Sequence, residues 1–535
     1  MAPLSSSRRV ARRPHKVAAP PSAQGGFTFA VQGGRPEAAA FELPRFQTGE
    51  SRAQMRFNDR LLSEELIGCG LGWVLELHSI MQALDFRAFE AAYQPRGKFP
   101  YHPRMMLSLV MYAGIIGVDR LREIELLAMR DIAARYLCGN LRPDFTTLSK
   151  FLSRHSEVLS DDFFVALTRF LLEKLAMQGT RLAIDGTVVE AASSRFSNIR
   201  KEAALEAAQA ARDEVARTSL TGTGGADHLE AEKRAVQAQQ VADTLEARTV
   251  ANSAQGRTTE VKVSKHEPDA VFQPRKDGAM RFSYKPVIAA NEHKFITSNA
   301  VVGANETDAF EPLLEQHVRT AGAMPLEALA DGAFNTLAIL EKSVARELNI
   351  LIGGGSHQAR ALKDNKFFHR SKFSYDDVAN HYTCPAGNRL LPIIQTVDHK
   401  STPVTRYQTD ACDTCPLRPQ CTAARRRTVQ RAGSEELREL MAGIMKHPTA
   451  KSRYKDRKIM VEPVFGDFRE KLGFTRFRRR GIHKVRAEFS IKCAVYNLRK
   501  ALWGRAAGWF ALVVLLLAGL SRPRDFQHRC RRALA

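Results

Sequence analysis

The chain has 535 residues, 44% of them hydrophobic and 26% charged. That excludes a disordered, collagen-like or disulfide-stapled protein and leaves room for about two to four domains. Its 80 Lys and Arg against 57 Asp and Glu give a net charge of +23, a field that draws polyanions and makes nucleic acid the expected partner, ahead of a membrane surface. Residues 1–50, rich in Pro, Ala, Ser, Gly and Arg, have no period and read as a disordered basic tail. Arg8, Arg9, Arg12, Arg13 and Lys16 are followed by no apolar stretch of the secretory kind.

Residues 51–178 carry helical spacing and form the expected helical N-terminal DNA-binding domain. Met105 to Ile116 is continuously apolar, and Leu121 to Leu137 keeps apolar residues at helical intervals. Asp144 is placed to cap a helix with Leu148, Phe151 and Leu152 on one face and Thr147, Lys150 and Arg154 on another. That polar face suits either DNA or solvent. From Arg181 to Glu190 the pattern turns to a β-branched run interrupted by Asp185-Gly186. Residues 201–249 read as an antiparallel helical hairpin inserted around Thr221–Gly225. Strands follow at Tyr284–Ala290 and Lys294–Gly303, and a helix at Asp308–Ala321. Next come a strand at Leu326–Ala330 ending in Asp331-Gly332, a helix at Thr336–Leu348 and a strand at Asn349–Ile352. The alternation predicts a mixed α/β sheet across 179–352. Gly353-Gly-Gly355 lacks the ending of a phosphate-binding P-loop, so no nucleotide cofactor is expected. Residues 353–445 break the pattern and hold clustered cysteines. Residues 446–503 are basic and helical. Residues 504–535 form a last helix and tail, in which the apolar run Trp509–Leu520 is shorter than the roughly 18–20 residues of a spanning helix and reads as buried.

Asp185 and Asp331 both end apolar strands and both precede glycine. A carboxylate at a sheet end beside a small residue is an open, rigid holder for a hard cation such as Mg²⁺. Taken singly, Asp-Gly is also a common turn. A third acid, Glu462, stands in a stretch, Lys451 to Arg486, where 13 Lys or Arg face 4 Asp or Glu. Basic residues around an acidic metal site suit a phosphodiester backbone.

Together these pieces resemble the DDE transposases of bacterial insertion sequences, in particular the group numbered eleven-eighty-two of the IS-five-like superfamily. Tyr101-His-Pro-Arg104 and Pro143 to Phe151 resemble the N-terminal domain. Ala183-Ile-Asp-Gly-Thr187 resembles the first-Asp motif and Ala330-Asp-Gly-Ala-Phe334 the second. Val461-Glu-Pro-Val-Phe-Gly466, with Arg480-Gly481 and Tyr496-Asn-Leu498 downstream, resembles the Glu region. The resemblance implies an RNase H-like catalytic core, its first part at 179–352 and its last at 446–503. Asp185, Asp331 and Glu462 would be its triad, holding two Mg²⁺ or Mn²⁺ ions for strand cleavage at element ends and strand transfer. One ion would activate water or a DNA 3′-hydroxyl and the other would stabilise the leaving oxygen. The implied partners are double-stranded DNA, as terminal inverted repeats and target, and a second copy of the chain bound to that DNA. The protein would be cytoplasmic, at the nucleoid. Two other readings share these residues: a nuclease that cuts without joining, and a DNA-binding relic without chemistry.

Three departures stand out. The related signature spaces Tyr, Arg and Glu differently: Tyr454 and Arg457 lie one residue too far upstream, Lys458 has the Arg spacing, and Arg469 takes the final Lys position. Pro463 argues against an unbroken helix through Glu462. Glu488 is the reserve third acid. Besides Lys150, Arg154, Tyr454, Arg457, Lys458 and Arg469, the run Arg478, Arg479 and Arg480 is assigned to DNA contact. Finally, Cys384, Cys412, Cys415 and Cys421 have the spacing of a Cys₄ structural Zn²⁺ site or of four reduced thiols. Arg425, Arg426, Arg427 and Arg431 beside them suggest that this insertion touches DNA.

Overall fold

The structure is a computed structural model. It describes residues 45–517 except 95–96, 221–224, 255, 257, 276–277, 355–366 and 398–402, with side chains as far as residue 503. Nearly all of the expected tail, the hairpin tip, Gly355 and the end of the apolar run past Leu517 lie outside the described residues.

The first part is helical, as the spacing predicts. A two-strand ribbon, β1 (Arg56–Phe57) and β2 (Arg60–Leu61), leads into α1 (Leu62–Gly68), α2 (Trp73–Ala83), α3 (Arg87–Glu90) and α4 (Pro103–Ile115). Then come α5 (Leu121–Arg130), α6 (Ile132–Cys138), α7 (Phe145–Arg154), α8 (Ser156–Ser160) and α9 (Asp162–Leu175). The apolar run from Met105 is α4, buried along almost its whole length. The continuous pattern from Leu121 to Leu137 is two helices, because the Asp131 carboxylate caps α6 at the Ala134 N–H (2.8 Å) and also accepts from the Tyr112 hydroxyl (3.0 Å). Asp144 caps α7 at the Thr147 N–H (2.8 Å). Leu148, Phe151 and Leu152 are buried while Lys150 and Arg154 face outward.

The central sheet is built from β3 (Arg181–Gly186), β4 (Val189–Glu190), β7 (Val271–Pro274), β8 (Met280–Asn291), β9 (Ile296–Val302), β10 (Glu327–Ala330) and β11 (Ile350–Ile352). Across it the order is β9-β8-β3-β10-β11. β3, β10 and β11 are parallel, whereas β8 runs antiparallel to both β3 and β9. β4 and β7 pair with the first part of β8. Between β4 and β7 lie the small pair β5 (Asn198–Ile199) and β6 (Val263–Ser264) and the expected hairpin, α10 (Lys201–Leu220) with α11 (Gly225–Ala254). Alanines 204, 208, 231 and 242 form its close-packed seam, with Val241 and Leu245. α12 (Phe310–Ala321) and α13 (Leu337–Ala345) precede β10 and β11.

The segment after β11 is more regular than its sequence suggests. β12 (Ser374–Asp376), β13 (His381–Thr383), β14 (Arg389–Val397), β15 (Pro403–Gln408) and β16 (Val429–Ala432) form an antiparallel five-stranded meander, with α14 (Arg418–Cys421) before the last strand. Three long helices close the chain: α15 (Glu435–Ile444), α16 (Pro448–Glu470) and α17 (Ile482–Leu517). Among the described residues no helix is long and apolar enough to cross a membrane.

The predicted break at Pro463 does not occur; α16 runs through it. Proline removes the bond to the carbonyl four residues back, here that of Ile459, an exposed residue on the solvent side of the helix. The opposite face buries Met460, Val461, Val464, Phe465 and Phe468, and that packing holds both halves in line.

One buried cluster runs from Met55 to Leu502 and joins the first helices to the sheet and to α17. At its centre the Asn497 amide accepts from the Ile296 N–H (3.0 Å) and donates to the Ile296 carbonyl (2.8 Å) and the Thr168 hydroxyl (3.1 Å). The Tyr-Asn-Leu motif thus clamps β9 and α9 onto α17. His155 and His317 are also fully buried, and burial pushes each imidazole down to about 4. Between pH 6.5 and 4 the unfolded chain therefore binds protons that the folded chain refuses, so stability must fall as pH falls. Each histidine is expected to cost about 2 kcal/mol by about pH 4.5. Melting temperatures measured across that range should drop, and His155→Gln should flatten the slope.

Candidate active site

The parallel register fixes the first two acids. Ala330 lies opposite Ile184, so Asp331, the residue after β10, emerges beside Asp185 near the end of β3. Both carboxylates are held from below by the next residue's amide. Gly186 N donates to Asp185 Oδ1 (3.0 Å), and Gly332 N donates to Asp331 Oδ1 (2.6 Å). A Cβ at Gly186 would sit 3.0 Å from the Glu306 carboxyl carbon, so a larger residue there would displace that side chain.

α16 crosses the sheet and carries the counter-charge. At the opposite ends of the strands, Arg181 of β3 pairs with Glu327 of β10 and with Asp456 of α16, both at 2.9 Å, while Arg453 pairs with Glu327 at 2.9 Å. That network locks the helix across β3 and β10. One turn on, Arg457 Nη1 lies 3.2 Å from Asp185 Oδ2, and Tyr454 sits against Gly353 just past β11, where a Cβ would come within 2.5 Å of its hydroxyl oxygen. Arg457, expected among the phosphate contacts, is instead buried at 8% exposure and turned onto the acid. Its Nε and Nη1 are buried and make no hydrogen bond, so the ion pair leaves donors unused.

Burial pushes Asp185 up to about 6; Arg457 opposes this, while Asp331 and Glu306 add to it. Glu306, in a short 3-10 turn before α12, pairs with Lys285 at 2.9 Å. Sequence reasoning missed both. Glu306 precedes the expected helix at Asp308, where an acid reads as a capping residue, and Lys285 is one cation in a strand.

Glu462 is exposed and makes no hydrogen bond or ion pair with a described residue. It follows Tyr454 and Lys458 at intervals of four, so the three share one edge of α16. Glu488 is engaged elsewhere: its carboxylate accepts the backbone N–H groups of Arg478 (3.0 Å) and Arg479 (2.9 Å). Lys458 and Arg469 are exposed, as are Arg478 and Arg480.

The four cysteines line one small cavity at the end of the meander. Burial raises the Cys421 thiol; Arg427 opposes this, and the other three cysteines add to it. The arginines there are occupied within the insertion. Arg425 and Arg426 pair with Asp413, Arg427 reaches the Cys421 and Phe368 carbonyls, and Arg431 pairs with Glu439. These pairs brace the insertion. Among the described residues no three His, Cys, Asp or Glu side chains converge closely enough to form a metal site, at the acids or at the cysteines.

Two family models match. One, described as Transposase DDE domain, covers residues 383–502; the other, Transposase domain (DUF772), covers residues 74–154. Both matches support a bacterial insertion-sequence DDE transposase. No curated protein matches the chain. The first match takes in α16, with Arg457 and Glu462, and the second takes in α7. Asp185 and Asp331 lie between the two matched stretches.

Breaking the Arg457 pair isolates a buried carboxylate. Arg457→Leu is expected to cost about 3 kcal/mol at pH 7, where Asp185 is ionised, and less at pH 5, where it is protonated. Urea unfolding at both pH values measures this, and adding Asp185→Asn should recover most of the pH 7 loss.

Proposed function

We propose that this transposase cleaves DNA at the ends of an insertion element and joins them to a target, with a divalent metal at Asp185 and Asp331. The observation that carries this is the parallel register that sets the two carboxylates abreast at the strand ends. The strand order supports an RNase H-like core: three antiparallel strands, with the first of them followed by two parallel neighbours. The motif order supports the eleven-eighty-two group.

The donor set fits such an ion. Two carboxylates side by side, one already driven upward by burial and by its neighbour's charge, gain from a cation between them. Mg²⁺ is usually held by one or two carboxylates with water and substrate phosphate filling the rest. Bound there, Mg²⁺ or Mn²⁺ supplies Lewis-acid charge at the phosphodiester undergoing attack. Glu462, on the α16 edge shared with Tyr454 and Lys458, is the third acid in this reading. Arg457 orients Asp185. Lys150, Arg154, Lys458, Arg469 and Arg478 to Arg480 bind the DNA backbone. Two copies act on the paired ends.

Purified protein with Mg²⁺ or Mn²⁺ and DNA bearing the gene's own flanks tests the reading. Wild type should cut and join. Asp185→Asn, Asp331→Asn and Glu462→Gln should bind but lose activity by at least about a thousandfold. Cutting by Glu462→Gln would remove it from the triad. Cutting without joining would favour the nuclease, and binding alone the relic.

In the same reading the four thiols, which line one cavity without converging, close on one structural Zn²⁺ when it binds, since sulfur donors match that ion's chemistry. Metal analysis should find one zinc per chain, lost together with the meander's stability in Cys412→Ser and Cys415→Ser.

A further inference from the structure

A cavity of about 420 Å³ opens between α4, α5 and α7 on one side and the loop before α17 on the other. Every residue lining it falls within 110–153 or 478–495, so its walls come from the two separately matched stretches. Six basic side chains line it, Arg120, Arg478, Arg479, Arg480, Lys484 and Lys492, against two acids. Both acids are committed. Asp119 takes Arg478 Nε at 2.9 Å and Lys492 Nζ at 3.4 Å. Glu488, with 9% exposure, takes the backbone amides of Arg478 and Arg479.

The consequence is a rigid loop with cations to spare. Arg480 is tied back to the Ala192 carbonyl at 3.0 Å. The guanidinium of half-buried Arg479 and the ammonium of Lys484 make no hydrogen bond or ion pair with any described residue. Burial pulls the Arg479 guanidinium down, with only the Glu488 charge opposing. A cation in that position stays costly until an anion reaches it. α17 starts at Ile482, directly after the loop, so its first N–H groups add positive potential there. Two wall positions on α7, Ser149 and Ser153, bring hydroxyls rather than charge.

We propose that this cleft grips a phosphate of the DNA backbone, with Arg479 and Lys484 as its direct contacts and Arg120 on the facing wall. This rests on the DNA-transposase reading and adds to it: one phosphodiester ties the N-terminal helices to the last helix, at a site separate from Asp185 and Asp331. The contact is to backbone and carries no base preference.

The probe is a fluorescently labelled duplex of mixed sequence, with binding measured by anisotropy at rising salt. Arg479→Gln and Lys484→Gln should each weaken binding roughly tenfold and lower the slope of log affinity against log salt by about one. Arg479→Lys should keep most of the slope, because the charge stays. Equal affinity and slope in wild type and both Gln variants overturns the cleft. Lys484 is exposed, so Lys484→Gln carries the test should Arg479→Gln melt early. Displacement of the duplex by micromolar inorganic phosphate also overturns the proposal, by assigning the cleft to a free anion. Failure of wild type to bind any duplex overturns the DNA reading beneath it. Asp185→Asn that binds like wild type but does not cut separates the two sites and supports both.

Discussion

The structure turns on a charge placed where charge is least welcome. Two carboxylates stand side by side at the ends of adjacent parallel strands, one of them largely desolvated. Like charges so placed repel, and burial makes Asp185 harder to ionise. Arg457 is the answer within the chain itself, and the helix that carries it is therefore positioned with care. The ion pairs among Arg181, Glu327, Arg453 and Asp456 at the far ends of the same strands fix α16 across the sheet. Arg457 then reaches the near ends. The helix tolerates Pro463 because its buried face is anchored on both sides of it.

The remaining architecture serves that arrangement. β8 flanks β3 on the side away from β10, and Lys285 on β8 pairs with Glu306, which closes the third side of the site. α17 ties the first helices to the sheet through Asn497, whose amide satisfies both backbone groups of Ile296 in a site with no water to do so. The same helix begins beside the Arg478–Arg480 loop. A buried carboxylate, Glu488, holds that loop by its amides. Asp185 and Asp331 thus stand at adjacent strand ends, whereas the Glu488 carboxylate is spent on the amides of Arg478 and Arg479.

Electrostatics also separates two classes of arginine that composition merges. Arg425, Arg426, Arg427 and Arg431 look like a basic patch in sequence, yet they are consumed by Asp413, Glu439 and carbonyls of their own insertion. Arg479 and Lys484 make no such pair with a described residue. The net charge of +23 describes the whole chain; which cations remain to meet an anion depends on local pairing.

By itself the amino-acid sequence determined what local rules decide. Helix starts at Asp144, the hairpin of small residues at 201–249, the strands bearing Asp185 and Asp331, and the order of motifs along the chain all follow from period, capping and turn chemistry. Those features depend on neighbours a few residues apart. Only the tertiary structure decided the rest. That Asp331 stands beside Asp185 depends on strand register across 146 residues, as the pairing of Arg181 with Glu327 records. That Arg457 faces the acid, that Glu306 joins it, that Glu488 serves a loop, and that α16 passes through Pro463 each depend on what packs opposite. The physical reason is the same throughout: a side chain's periodicity states which way it points, but its role is set by the charge, donor or water it meets there.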